Sequence, residues 1–118
     1  MTGDEKTALL RQAIREGRPV TAMGSGLRRE FCPHLLGTKR HPDGRARWHV
    51  LAWQFDGASR SGLPSGGGWR CFDLAFLDML RLRDGPWHRG SRTGAAEQTC
   101  IDSIDCAVDP SLAAPANG

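Results

Sequence analysis

The chain has 118 residues and a formal net charge of +3. This length is enough for one hydrophobic core and too short for two. No apolar run approaches the ~20 residues that cross a bilayer. Residues 2–6 also lack the basic and apolar regions of a signal peptide. We therefore expect a cytoplasmic protein with no membrane contact.

The N-terminal segment predicts one amphipathic helix. Thr2 and Glu5 have the spacing of a capping box, which marks a helix start. Gly17 and Pro19 mark its end. Between them one apolar stripe is formed by Leu9, Leu10, Ala13 and Ile14.

Two short strands are predicted next, at residues 20–23 and 28–36, joined by the glycine turn of residues 24–26. Proline has no N–H to donate to a neighbouring strand. Pro33 therefore predicts that the second strand lies at a sheet edge or is bulged at this position. The turn sequence Pro42, Asp43, Gly44 leads to the third strand.

The third strand, residues 47–55, is apolar or aromatic at nearly every position. Alternation predicts that both of its faces are buried, which suits the central strand of a small barrel. One face carries Trp48, Val50 and Ala52, and the other carries His49, Leu51, Trp53 and Phe55.

The remaining segments are shorter. A glycine- and serine-rich loop at residues 56–68 is expected to project into solvent. It is followed by a fourth strand at 69–74, one helical turn at 75–79 and a fifth strand at 80–83. Together with the helix, these strands predict an α+β protein, mainly β, built as a small SH3-like barrel with an N-terminal helix.

The C-terminal part predicts a possible last strand at residues 100–108. Residues from Pro110 onward offer little apolar area to offset the entropy of ordering. We therefore expect one domain over residues 1–108 and a disordered tail over residues 109–118.

Four cysteines occur without any CxxC pair, so the sequence favours free thiols over a disulfide framework or a zinc ribbon. Cys32 and His34 have the spacing of two metal ligands, but strand alternation places both on one face without any metal. We predict no metal site and no cofactor.

The charge is unevenly distributed. Residues 28–92 hold 12 Arg or Lys against 6 acidic residues, whereas residues 93–118 hold 4 acidic residues and no base. Of the 16 basic residues 14 are arginine, which favours bidentate contacts to phosphate or carboxylate. Genomic GC bias explains the same preference without any function, and the two explanations remain open.

Four short segments then follow one another in a characteristic order. They are the helix and first strand from Leu10 to Val20, the run from Arg29 to His34, the run Trp48, His49, Val50, Leu51, and the strand from Arg70 to Leu74. This order resembles the WYL domain family, small SH3-like barrels found mainly in bacterial regulators, over about residues 8–83. The resemblance implies a stand-alone regulatory module that acts in bacterial transcriptional or defence regulation. The sequence also has no nucleophile elbow, carboxylate pair or HExxH-like helix, so we expect no enzymatic activity.

The resemblance and the basic centre indicate a ligand- or nucleic-acid-binding surface on the strands. The expected partner is a small anionic ligand or single-stranded nucleic acid. The alternatives are a solvated surface for the arginines, a core position for the histidines and tryptophans, and a protein-interaction subunit with no ligand of its own. The candidate site residues are Arg29, His34, Trp48, His49, Arg70 and Arg81.

Overall fold

The computed structural model describes residues 1–59, 62–91 and 98–114, and it is mainly β with one helix. The described strands form an antiparallel sheet in the order β4-β3-β2-β1-β5, with β6 also paired to β2. No pairing closes the sheet between β4 and β5 in this part of the chain, so the sheet is open. The elements are α1 (Gly3–Glu16), β1 (Val20–Gly24), β2 (Leu27–Arg40), β3 (Ala46–Gly57), β4 (Gly68–Asp73), a 3-10 turn (Leu74–Phe76), β5 (Leu77–Leu82) and β6 (Ser103–Ala107).

Helix α1 begins and ends where the sequence indicates. The Thr2 hydroxyl accepts from the Glu5 backbone N–H at 3.1 Å, and the Glu5 carboxylate accepts from the Thr2 N–H at 2.9 Å. Gly17 ends the helix with a φ of +63°, a left-handed conformation that glycine adopts without strain. The apolar stripe, represented by Leu10 and Ile14, is buried in the main core. Across the described ranges, no helix has the length and hydropathy needed to cross a bilayer.

Strand β2 is the centre of the sheet, although Pro33 predicts an edge or a bulge. It pairs with β3 along one side, and with β1 and β6 on the other. The pairing with β1 ends at Phe31 and the pairing with β6 begins at Leu35. Pro33 therefore lies between these two pairings, at the point where the partner on that side of β2 changes from β1 to β6. The bulge is confirmed as a register shift between Pro33 and Leu35, and the edge position is wrong.

Strand β3 is buried on both of its faces, as its alternation predicts. Val50 and Ala52 are fully buried in the main core, and Trp48 packs against it. Leu51 points to the other face, where it packs with Cys100 and Ile101 in a second, smaller cluster. In the sheet β3 lies second from the edge, with β2 on one side and the edge strand β4 on the other.

A disulfide joins Cys71 of β4 to Cys100, just before β6, with their Cα atoms 5.5 Å apart. The prediction of free thiols is therefore wrong for these two cysteines, and it holds for Cys32 and Cys106. Cys71 is paired directly with Leu51 of β3, and Cys100 packs on the same leucine. Neighbours across the sheet thus bring together two cysteines that are 29 residues apart, a proximity that no local spacing reveals.

The end of the described chain packs against the body of the protein. The Trp87 indole donates to the Leu112 carbonyl at 2.8 Å, and the Arg89 guanidinium donates to the Ala113 carbonyl at 2.9 Å. Leu112 and Ala113 also contact the main core. The structure departs in this way from the expected disordered tail at residues 109–114, while residues 115–118 lie outside the described residues.

Candidate functional site

A cavity of about 390 Å³ lies against strands β3 and β4 and the segment that leads to β6. Its size falls in the range of small-molecule sites, roughly 300 to 1,000 Å³. We call it the Lys39 cavity. Its walls are formed by Lys39, His41, His49, Leu51, Trp69, Arg70, Cys71, Gln98, Thr99 and Cys100.

The walls of the Lys39 cavity are basic. Lys39, His41, His49 and Arg70 contribute nitrogen groups, and none of the lining residues within the described ranges is acidic. The Lys39 ammonium donates one proton to the Thr99 carbonyl. Since an ammonium has three N–H groups, two of its donors are left to meet a ligand.

Arg70 is held in the wall by the loop that precedes β4. Its terminal nitrogens donate to the carbonyls of Trp69 at 3.0 Å and Gly62 at 2.8 Å, and to the Ser59 hydroxyl at 3.2 Å. Its Nε is buried and has no hydrogen-bond partner in the described structure. An unsatisfied buried donor costs about 1 to 3 kcal/mol, so the loop holds the Arg70 guanidinium in place at the expense of one hydrogen bond.

Trp69 gives the cavity an aromatic wall in a fixed orientation. Its ring packs edge-on against Trp53 and His34, with centroid separations of 5.3 and 4.9 Å. Its indole N–H donates to the Ser91 carbonyl at 3.0 Å. Leu51 adds apolar surface beside it. The cavity therefore combines a flat aromatic face with positive charge.

Two histidines meet at one side of the cavity. The Nε2 atoms of His41 and His49 lie 2.9 Å apart, so that one nitrogen donates and the other accepts. The other ring nitrogen of His49, Nδ1, lies 3.2 Å from the Cys71 sulfur. Burial lowers the pKa of His49, although the Asp73 carboxylate 3.9 Å away partly opposes this effect. A neutral His49 keeps one nitrogen lone pair available.

Arg29 and His34, two of the residues selected from the sequence, lie in the interior instead. Arg29 is 7% exposed, and it donates to the Gly24 carbonyl at 3.3 Å and to the Gln54 side chain at 3.2 Å. The ring nitrogens of His34 lie 2.9 and 3.1 Å from the carbonyls of Cys32 and Arg89. Burial lowers the pKa of His34. Both side chains serve the fold.

The other candidates are separated in space. Trp48 lies on the opposite face of β3 from His49, with the Arg11 guanidinium 5.5 Å from its ring centroid. Arg81 is exposed on β5, paired with Thr21 of β1. Of the six residues selected from the sequence, the Lys39 cavity brings together His49 and Arg70.

Most of the other residues that line the cavity were not selected from the sequence. The basic hairpin between β2 and β3 is visible in the sequence, and it supplies Lys39 and His41. No comparable local signal marks Trp69, Gln98 or Cys100, because their positions depend on how β4 and the segment before β6 approach β3.

Comparison of the chain with models of known protein families, with curated proteins and with solved structures finds no match.

Proposed function

We propose that the protein is a regulatory binding module that holds a small anionic ligand with a planar ring, a mononucleotide being the simplest example, in the Lys39 cavity. The observation that carries this proposal is the composition of the cavity. Its described lining residues include the cations Lys39 and Arg70, two histidines and an aromatic wall, and none of these described residues is acidic.

The chemistry of the walls suits the two halves of such a ligand. The two remaining N–H groups of Lys39 suit a phosphate or carboxylate, because charge-assisted hydrogen bonds are the stronger ones. The Trp69 ring in the cavity wall suits the ring of the ligand, since stacking of a base on an aromatic side chain contributes about 1 to 3 kcal/mol. A ligand that lacks either half gives up one of these contributions.

We further propose that the fold is an opened relative of the SH3-like barrels of WYL domains. The order of the four sequence segments supports this relation. The register shifts in β2, between Glu30 and Phe31 and between Pro33 and Leu35, support it as well, because bulges bend a strand in the way that barrels require.

The direct test is calorimetric titration of the full chain with adenosine monophosphate, with inorganic phosphate and with a short oligothymidylate. We expect adenosine monophosphate to bind more tightly than phosphate. Trp69→Leu should reduce the affinity for adenosine monophosphate toward that for phosphate, since only the stacking contribution is lost. An equal loss of both affinities would contradict the role given to the Trp69 face.

The chain offers a matched control for the ammonium. Lys39 and Lys6 are its two lysines, and each donates to a backbone carbonyl, of Thr99 and of Leu74 respectively. Lys39→Met should weaken binding of adenosine monophosphate, whereas Lys6→Met, outside the cavity, should not. Equal affinities of the two variants would refute the proposed site.

The oligothymidylate separates the proposal from nucleic-acid binding. One contrary outcome is that only the oligothymidylate binds, with an association constant that falls about 0.7 logarithmic units per phosphate contact for each tenfold rise in salt concentration. That result would show that the protein binds a single-stranded backbone and not a small ligand.

A second candidate function is a protein-interaction subunit, which one surface feature favours. Phe76 ends the 3-10 turn and Met79 follows three residues later in β5, and each side chain is 61% exposed. Clusters of large exposed apolar side chains mark interaction sites more often than single ones do. Absence of binding to all three probes would favour this candidate.

A further inference from the structure

We propose that the reduced form of this protein binds one Zn²⁺ ion through the sulfurs of Cys71 and Cys100 and the Nδ1 atom of His49, with the fourth coordination position open to the Lys39 cavity. This inference goes beyond the proposed function and does not rest on it, because metal binding is measured without any anion. Zinc and the Cys71–Cys100 disulfide exclude each other.

The ligand atoms are already gathered. The two sulfurs and the His49 nitrogen lie within 4.8 Å of one another. Tetrahedral zinc, with Zn–S near 2.3 Å and Zn–N near 2.0 Å, needs its sulfurs about 3.8 Å apart and its nitrogen about 3.6 Å from each sulfur. Nδ1 of His49 already lies 3.2 Å from the Cys71 sulfur. Breaking the disulfide lets the sulfurs separate by rotation of their side chains, while the strands stay in place.

The ligand types also fit zinc. Two thiolates and one imidazole form a three-ligand set that leaves a fourth position for water or a ligand group, as in catalytic and exchangeable zinc sites. Cys71 is exposed and Cys100 is buried, so the ion would lie at the cavity wall with one side accessible. Soft sulfur ligands favour zinc over magnesium or calcium.

His41 supplies the hydrogen-bond partner that the second ring nitrogen of a zinc-bound histidine usually has. A histidine that binds metal through one nitrogen generally donates its other N–H to a nearby acceptor. In this site the Nε2 atom of His49 lies 2.9 Å from Nε2 of His41 and 3.9 Å from the Asp73 carboxylate. Donation from His49 to His41 leaves Nδ1 of His49 without a proton and directed at Cys71. Donation in this direction gives the tautomer that zinc requires, so in the zinc-bound form the shared proton lies on Nε2 of His49.

The chemistry balances with a phosphine as the reductant. The phosphine and one water molecule convert the disulfide into two thiols, and the phosphine becomes its oxide. Zn²⁺ then replaces the two thiol protons, which are released to the buffer. Hydrogen peroxide would restore the disulfide: it takes two electrons from the two thiolates and, with two protons from the buffer, becomes two water molecules, while the ion is released.

A second ligand set shares His49. It consists of His41, His49 and Asp73, with the two histidines facing each other through Nε2. Both oxygens of Asp73 are engaged, one by the Ala75 N–H at 2.9 Å and the other by the Arg47 guanidinium at 2.8 Å. A cation there would face the positive charge of Arg47. The sulfur set is therefore favoured, and the carboxylate set is an outcome that the experiment can detect.

The test uses the full chain, reduced with a phosphine and freed of metal, and titrated with Co²⁺ as a spectroscopic substitute for Zn²⁺. We expect one Co²⁺ per chain, with a thiolate-to-cobalt charge-transfer band and the visible bands of tetrahedral cobalt, displaced by added Zn²⁺. The oxidised chain should show neither signal. Cys71→Ser and Cys100→Ser should each remove the charge-transfer band or sharply weaken it.

The histidines and the other cysteines provide the graded controls. His41→Ala should weaken zinc binding by about 10- to 100-fold while the cobalt spectrum persists, as expected for an outer contact. His49→Ala should weaken it further. Cys106→Ser, which changes one of the two free cysteines, should leave the affinity unchanged. The reduced wild type and the cysteine variants all lack the disulfide. If a variant melts at the same temperature as the reduced wild type, its loss of metal binding does not come from unfolding.

Three results would overturn the proposal. The first is a reduced, folded wild type that binds no metal. The second is equal metal binding by the oxidised and reduced chains. The third is loss of binding in His41→Ala but not in Cys71→Ser, which would assign the metal to the carboxylate set. Each of them leaves the anion-binding proposal to be judged on its own titration.

Discussion

Replacing Gln54 with alanine should destabilise the protein strongly, because this fully buried amide connects three parts of the fold. Its oxygen accepts from the Arg29 guanidinium at 3.2 Å, and its nitrogen donates to the carbonyls of Asp56 and Ala58 at 3.0 Å each. The hydrogen bond to the charged guanidinium is worth about 1.5 to 3 kcal/mol, and each bond to a carbonyl about 0.5 to 1.5 kcal/mol. Water that enters the space left by the side chain can hydrate the carbonyls. The expected loss in free energy of unfolding is therefore about 3 to 4 kcal/mol.

Urea unfolding followed by tryptophan fluorescence measures this loss, with the slope of the transition checked to be unchanged. Gln12→Ala is the matched control, since Gln12 lies exposed on α1 and its replacement should change stability by less than about 0.5 kcal/mol. A loss below about 1 kcal/mol for Gln54→Ala, or one equal to that of the control, would show that the buried network does not stabilise the fold. The burial of Arg29 would then need another explanation.

Three further outcomes are expected. Burial lowers the pKa of His34 below its ordinary value of 6.5, so the unfolded chain takes up this proton first. The corresponding stability is complete above about pH 6.5 and is lost as the pH falls below it, and melts of His34→Gln should show a weaker dependence on pH in this range. Leu112→Ala should cost about 1 to 2 kcal/mol in urea unfolding, because the side chain is half-buried against the core, and an unchanged midpoint would show that the chain end does not dock. Reducing the Cys71–Cys100 disulfide, whose partners are 29 residues apart, should lower the free energy of unfolding by about 3 to 4 kcal/mol, because the unfolded chain regains the entropy of the released loop. Added Zn²⁺ should restore part of this stability. Melts of the reduced chain with and without Zn²⁺ test both effects.

Short-range patterns in the sequence were sufficient for the helix and the hairpins. The capping box of Thr2 and Glu5 fixes the start of α1, because both of its hydrogen bonds lie within one helical turn. The turn at Ser25 and Gly26 has positive φ at both residues, as a tight hairpin between twisted strands requires. The alternation in β3 predicts which side chains face each core cluster. Each of these features depends on residues only a few positions apart.

The order of the strands and the content of the candidate site were decided by the tertiary structure. Pro33 lies in a central strand at a bulge, where the pairing on one side of β2 passes from β1 to β6. Arg29 looks like a surface cation in the sequence, yet it is buried because Gln54 and the Gly24 carbonyl satisfy its guanidinium. Cys71 and Cys100 meet because both pack on Leu51.

The sequence by itself determined the local elements and the basic character of the hairpin that carries Lys39 and His41. Only the tertiary structure brought that hairpin against Trp69 of β4 and the segment that contains Cys100. The physical reason is that a helix cap or a turn is stabilised by contacts between near neighbours in the chain. A cavity forms only after distant strands have paired and the cost in loop entropy has been met by burial of the core between them.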